Sequence, residues 1–458
     1  MNASHILHII GALAFMLSLL GSESLSKDDN AIRCIEAEWK ALQLFKQGVV
    51  RGAQRHDLGS WRDEEKDCCK WKGVGCDNRT GHVTHLFLSS RISAFTDSTS
   101  VSVDKLLIEL PYLNYLDLSN NLLAGIPEFI GSLTNLIHLD LSETYIDGAF
   151  PDQIGNSSNL QYLNLSLCCN GGPIPKFIGS LNNLRYLDIS NSWFTGVISH
   201  ELGSLSRLQH LNLANNCHLR GGGNFEWLFI QRIPSISVLR INHCQLFAPS
   251  SAPGNFSSSI SSLHLNGNYI NSSIFYWLSH LSGSLVVLDL GNNLLEGRIP
   301  QTFCHMSAPT YLDLSANQLN GVPPKCINNL SNLQVVDFSA NNFTGNLEHL
   351  LFGPFASLQE LLISENHLTG SLPDITLFSS LKKLQVSSNQ LNGYQPTTFK
   401  HHSTLQFLDL SNNHLRGFLP NFTKFSSFRF LNLYNNGFSG NLPDFTGCSS
   451  LEVLRLGG

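Results

Sequence analysis

The pattern LxxLxLxxNxLxGxIP begins again every 23 to 25 residues from Leu113 to the end of the chain. Its cleanest copies start at Leu285 (Leu288, Leu290, Asn293, Leu295, Gly297, Ile299, Pro300) and at Leu405 (Leu408, Leu410, Asn413, Leu415, Gly417, Leu419, Pro420). Copies open at Leu113, Leu136, Leu160, Leu184, Leu208, Ile236, Ile260, Leu285, Pro309, Leu333, Leu358, Leu381, Leu405 and Phe428, giving 14 full repeats, and a partial one starts at Leu451. One spacing is longer, with 28 residues between Leu208 and Ile236. Self-similarity at such a period means a stack of units, each burying its apolar face only against its neighbours.

Each column of the repeat has a physical role. The LxxLxLxx segment reads as a short strand whose leucines point inward while the intervening residues face the concave side. Ten of the 14 repeats carry Asn at the ninth position, where its amide can satisfy backbone groups of adjoining turns. The exceptions are Thr144, Cys168, Ser192 and Cys244, each small and carrying a donor, so the column reads as an internal ladder. The following Gly suits a tight backbone turn. The Ile-Pro step suits an edge position, where proline forfeits no ladder bond. The expected fold is α/β: a leucine-rich-repeat solenoid, with a curved ladder of parallel strands over residues 83–458. Such a scaffold presents a long surface and points to binding.

Composition narrows the setting. Only 14% of the residues are charged and the net charge is −6, which gives no basic stripe for nucleic acid. Ile9 to Leu20 is apolar apart from Ser18, with Ser22 and Ser24 before Leu25, so residues 1–24 read as a signal peptide. The leading segment has His5 and His8 but no Lys or Arg, and the apolar run is short of the roughly 20 residues that a membrane span needs. Eleven cysteines suit an oxidising route. Asn-x-Ser/Thr acceptors at Asn78, Asn156, Asn255, Asn271, Asn329, Asn342 and Asn421 point the same way. An eighth, Asn164, is disfavoured because it sits on a concave strand.

Residues 25–82 depart from the repeat. Trp39 to Val49 has apolar residues at helical spacing (Leu42, Phe45, Val49), and then come Ser60-Trp61 and Cys68-Cys69-Lys70-Trp71-Lys72-Gly73-Val74-Gly75-Cys76-Asp77. The first turn of a solenoid needs a cover, and a unit this short needs cross-links to be stable. This run, with Cys34, resembles the N-terminal cap of plant extracellular leucine-rich-repeat proteins. The joining stretch Asn78-Arg79-Thr80-Gly81-His82-Val83 is similar to that of the receptor-like proteins that include the fungal xylanase elicitor receptors. The LxGxIP extension belongs to the same plant class. The resemblance implies a disulfide-linked, helical cap with bridges Cys34–Cys68 and Cys69–Cys76. Members of that family carry further repeats, a C-terminal cysteine cap, one membrane span and a short cytoplasmic tail. The chain here stops at Leu456-Gly457-Gly458, so a truncated product is expected.

Paired cysteines recur in that family, and Cys304 with Cys326 is the expected bridge within the repeats. Cys217 and Cys244 fall at similar places in successive repeats, and spacing alone leaves their pairing open. The 18 histidines are scattered without HExxH, and no GxSxG, phosphate loop or kinase signature is present. No catalytic residue, metal or cofactor is therefore expected. His138 and His210 occupy the strand position that carries Tyr115, Tyr162 and Tyr186 elsewhere, and they read as exposed concave residues. The concave text is mostly Asp then Ser. It breaks at Arg240/Asn242, His264/Asn266, Leu362 and Gln385, the first cluster following the oversized repeat with its insertion Gly221 to Trp227. These six residues are the candidate ligand contacts. Trp227 and Trp277 lie off the strands and read as packing residues.

The resemblance implies a cell-surface receptor-like ectodomain that recognises a protein, peptide or glycan elicitor and acts with partner receptor kinases in plant defence. The intact receptor would sit at the plasma membrane, and the truncated chain in the extracellular space. Two alternatives stand beside it: a secreted inhibitor of a fungal wall-degrading enzyme, and the ectodomain part of a receptor kinase.

Overall fold

A computed structural model describes residues 33–50, 58–89 and 103–457, apart from 122–125, 127, 145–149, 169–170, 199, 220–232, 249–258, 282, 307–308, 326, 328–329, 351–355, 373–374, 376–377, 394–403, 420–421 and 424. The expected signal peptide, the insertion Gly221 to Trp227, His401-His402 and the acceptors Asn255, Asn329 and Asn421 lie outside the described residues.

Among the described residues, short strands, most of them three residues long, stack into one sheet of 17 strands. From Val83–Phe87 onward every neighbouring pair in this sheet is parallel and in register: Leu86 lies beside Leu116, Leu116 beside Leu139, and so on to Leu431 beside Leu454. The antiparallel exception is Val74–Cys76 of the cap, which pairs with Val83–Phe87. This is the solenoid that the repeat implies. The central residue of these strands points inward, as at Tyr311–Asp313, where Leu312 is buried between two partly exposed residues. The buried leucines merge into one core running from Cys34 to Cys448.

The asparagine column closes each turn onto its neighbours. The Asn317 amide nitrogen lies 3.0 Å from Leu290 O, 3.1 Å from Leu314 O and 2.9 Å from Ser315 O, donating into both its own turn and the preceding one. Its Oδ1 accepts from Leu295 N at 3.0 Å. Asn341, Asn366, Asn389 and Asn413 repeat the arrangement. The residue just before the ladder position is left-handed in turn after turn, including Asn120, Leu167, Ala316, Ala340 and Glu365. Non-glycine residues adopt that conformation at a cost, which the surrounding bonds must offset.

Short ladder residues change the bonding. Where Ser192 and Cys244 replace Asn, the next Asn reaches back to two amides at once. Asn216 Oδ1 accepts from Ser192 N at 3.2 Å and Phe194 N at 3.0 Å, and Asn268 Oδ1 accepts from Cys244 N and Leu246 N, both at 3.0 Å. The residues that follow, Trp193 and Gln245, are then left-handed as well. Cys244 Sγ points at Leu213 O, 3.2 Å away, and both Cys244 and Cys217 are free thiols. The pairing left open in the sequence therefore does not form, because Cys244 is engaged inside the ladder while Cys217 follows the ladder residue Asn216.

The GxIP segments build a second, narrower set of parallel strands on the flank. Glu296–Gly297, Gln318–Gly321, Asn342–Asn346 and His367–Thr369 form one such sheet. Gly370 follows it at φ +87°, a backbone conformation that L side chains adopt only under strain. Ile299 is buried beneath the flank.

The cap is a helix, Glu36–Val50, packed over the first turn. Leu42 and Phe45 face inward, while the Val49 side chain lies outside the description. Disulfides join Cys34 to Cys68 and Cys69 to Cys76. Trp61 stacks on Trp71 at 5.1 Å. Glu38, buried, accepts from Val83 N at 2.6 Å and bonds His82 Nδ1 at 2.8 Å, which ties the helix to the first ladder strand.

Replacing Asn317 with Ala strands carbonyls in two turns and should cost about 2–4 kcal/mol. Hydrogen exchange should rise most across 290–319, and the exposed Asn320→Ala should change little. Removing the Cys34–Cys68 bridge by Cys34→Ser should cost about 2–5 kcal/mol, read from the denaturant midpoint of the secreted chain.

Candidate functional site

The concave face is a grid, because parallel in-register strands set equivalent residues side by side at about 4.8 Å. One row of the grid runs Arg240, His264, Asp289, Asp313, Asp337, Leu362, Gln385, Asp409. The six candidate residues therefore fall into two groups. Arg240, Asn242, His264 and Asn266 come together on two adjacent strands. Leu362 and Gln385 are neighbours of each other, but Asp289, Asp313 and Asp337 separate them from the first group.

The first group is bonded internally. His264 Nε2 lies 2.9 Å from Ser262 Oγ, and its Nδ1 lies 3.7 Å from Asp289 Oδ2. Asn242 donates to Asn266 Oδ1 across the strands. Arg240 is largely buried, which lowers its pKa, while Tyr186 and Asp188 oppose that shift. A guanidinium stays charged under such conditions. The group thus offers a cation, an imidazole and two amides on a rigid floor.

Carboxylates dominate the middle of the row. Burial pushes Asp313 up to about 6, and the flanking Asp289 and Asp337 add to the rise. Burial also raises Asp337. On the row that runs Glu360, Lys383, Phe407, Lys383 lies over the Phe407 ring, 5.2 Å from its centroid.

The strand position shared by the tyrosines and histidines of this face forms a single stack. His85, Tyr115, His138, Tyr162, Tyr186 and His210 stack in one continuous column, with successive centroids 5.5, 4.0, 3.9, 4.3 and 4.4 Å apart. His138, expected to be exposed, is 5% exposed and has rings on both faces. Burial, with His85 nearby, lowers its pKa to about 3, so it is neutral at physiological pH. The signal was present as six aromatic or imidazole rings at one strand position in consecutive turns. The column ends at His210, and the next two places are Val238 and Ser262, on the strands that carry Arg240 and His264. The candidate group begins where the ring stack stops.

Off the concave face, Asn78, Asn156, Asn271 and Asn342 are exposed. Asn164 is half-buried and donates to Asp140 Oδ2 at 3.1 Å. Cys304 is disulfide-bonded, and Cys326 lies outside the described residues. Trp277 is buried in the short helix Ile274–Leu278. Among the described residues no helix is long and apolar enough to cross a membrane.

Asp313 gives a pH test. Its folded pKa exceeds the unfolded value of 3.8, so its contribution to stability is greatest below pH 4 and is lost as the pH rises through about 6. Asp313→Asn should therefore stabilise the chain by about 1–2 kcal/mol at pH 7.5, and the gap should close below pH 4. Urea midpoints across that range measure it.

Comparison with known proteins follows the same lines. The family profile described as "Leucine-rich repeat region" matches residues 87–321, "Leucine rich repeat N-terminal domain" matches 35–77, and "Leucine rich repeat" matches 310–368 and 379–438. The chain is 37% identical to Receptor-like protein EIX1 of Solanum lycopersicum over 400 residues, covering 83% of this chain and 36% of that one. It is also 37% identical to Receptor-like protein EIX2 of the same species over 386 residues, covering 81% and 35%. It spans about a third of the length of these curated relatives. Among solved structures, the crystal structure of PEPR1-AtPEP1 superposes with a TM-score of 0.66 at 25% identity, covering 92% of this chain and 62% of that one.

Proposed function

Because the chain belongs to the leucine-rich-repeat family, among the plant receptor-like proteins, we propose that it is the recognising portion of an extracellular receptor-like protein that binds an elicitor on its concave face. In this reading residues 1–24 direct secretion, 25–82 form the cap and 83–458 form the repeats. The ligand is a protein, peptide or glycan, and signalling passes through partner receptor kinases in plant defence, since the repeats themselves hold no kinase signature. The intact receptor acts at the outer face of the plasma membrane.

The observation that carries the reading is the break at Arg240, Asn242, His264 and Asn266. A rigid ladder fixes the backbone, so recognition depends on the side chains that depart from the repeated Asp and Ser. These four stand together, partly exposed, next to the end of the ring column. Leu362 and Gln385 form a second candidate contact along the same row. A few residues dominate most interfaces, and arginine is common among them. The alternative, inhibition of a fungal wall-degrading enzyme, would use the same face against a protein of that class; a receptor kinase ectodomain would share the recognition mode but not the route of signalling.

The test uses the secreted chain with purified fungal xylanase and polygalacturonase as probes. The reading expects binding to the xylanase without stoichiometric inhibition of the polygalacturonase, and inhibition of the latter would favour the alternative. Alanine at all four positions should weaken the binding at least tenfold, about 1.4 kcal/mol or more. Unchanged affinity, with loss instead on Leu362→Ala and Gln385→Ala, would move the site along the row.

A further inference from the structure

We propose that the exposed apolar patch formed by Phe247, Tyr269 and Leu294 is the seat of the first N-acetylglucosamine of a glycan on Asn271. The proposal rests on the secretory reading above. These three side chains are 50%, 47% and 45% exposed on three successive turns, where a monomeric surface would ordinarily place polar groups. Phe247 and Tyr269 are bridged in parallel and their rings lie 5.7 Å apart, and Asn271 is bridged in the same way to Leu294. The acceptor and the patch are therefore parts of one surface.

Local geometry sets the direction. Tyr269 and Asn271 are both exposed and flank the buried Ile270, so the extended chain sends them to the same side. The backbone between them is held: Tyr269 N donates to Leu246 O at 2.8 Å, Ile270 N to Asn293 Oδ1 at 3.1 Å, and Leu294 N to Ile270 O at 2.9 Å. Within the acceptor triplet, Ser273 N and Ser273 Oγ donate to Asn271 Oδ1 at 3.1 and 2.7 Å. Both bonds fall on the oxygen, and neither engages the nitrogen that carries the sugar.

The modification forms a C–N bond between Asn271 Nδ2 and C1 of the sugar, breaks the C1–O bond to a lipid diphosphate donor, and releases one amide proton. The first sugar of such a glycan has an apolar face of axial C–H bonds. Held two residues from an aromatic ring on the same side of a strand, that face can cover it and remove apolar area from water.

The chain contains its own contrast. Tyr162-Leu163-Asn164 has the same Tyr-x-Asn spacing, but the Tyr162 ring is stacked between His138 and Tyr186 at 3.9 and 4.3 Å and is 8% exposed. The Asn164 nitrogen is committed to Asp140. Of these two tyrosines, Tyr269 alone has exposed surface to offer a sugar.

The experiment expresses the full chain in glycosylating plant cells and reads occupancy by glycopeptide mass spectrometry. Amide exchange of the peptides covering 267–273 and 292–296 is then compared in the native sequence, Asn271→Gln, Tyr269→Ser, Tyr269→Phe and the double variant Tyr269→Ser/Asn271→Gln. Asn271 should be occupied, and its loss should speed exchange in both peptides several-fold in the native and Tyr269→Phe backgrounds. In the Tyr269→Ser background the same loss should change exchange less than twofold. Equal effects in all backgrounds would overturn the stacking. So would an unglycosylated Asn271 alongside occupied Asn78 and Asn342, which leaves the patch for a protein partner. If Asn78, Asn271 and Asn342 are all unoccupied, the secretory reading fails and the inference with it.

Discussion

The solenoid depends on a buried side-chain amide that donates to carbonyls in its own turn and in the one before. Asn293, Asn317, Asn341 and their counterparts let a short strand be followed by a left-handed corner and a flank without stranding buried backbone groups. A lost ladder amide would leave carbonyls unpaired in an apolar core, a penalty larger than the net gain of an ordinary hydrogen bond. The substitutes succeed because they are small: Thr144 and Ser192 bond the same class of carbonyl, and Asn216 covers the amide that Ser192 releases. The leucines stack with the period that these amides fix.

A fixed backbone makes the concave surface a readable grid. Burial above all, with neighbouring carboxylates adding to it, holds Asp140 and Asp313 near 6. Rings on neighbouring strands fall within stacking distance, which turns six separate positions into one column. The stretch bearing Arg240 and His264 lies between these regimes, after the rings and before the run of Asp289, Asp313 and Asp337. Its chemistry is the most varied on the described part of this face.

Much of this was legible from the amino acids. The leucine and asparagine columns specify the strand period, the parallel register and the inward faces, because each repeat obeys the same local rule. The cap bridges were legible through the pattern from Cys34 to Cys76, whose meaning comes from resemblance; spacing alone leaves several pairings open. What was missed involves contacts between repeats. Read singly, His138 is a polar residue on an exposed face; placed between Tyr115 and Tyr162, it is buried and neutral. Cys217 and Cys244 looked equivalent by position, yet one belongs to the ladder and the other follows it. Leu362 and Gln385 share a row with Arg240, and only strand order reveals the acidic stretch between them.

The central claim is that recognition occurs where the repeated concave text breaks, at Arg240 and His264. Hydroxyl-radical footprinting of the secreted chain, with and without the purified fungal xylanase, tests it directly. The account predicts that binding protects His264 and the partly exposed side chains of the Val238–Arg240 and Ser262–His264 strands, while the exposed flank residues Val322 and Phe418 keep their free-state reactivity. Protection confined to the flank, or to the concave strands beyond Leu362, would contradict it.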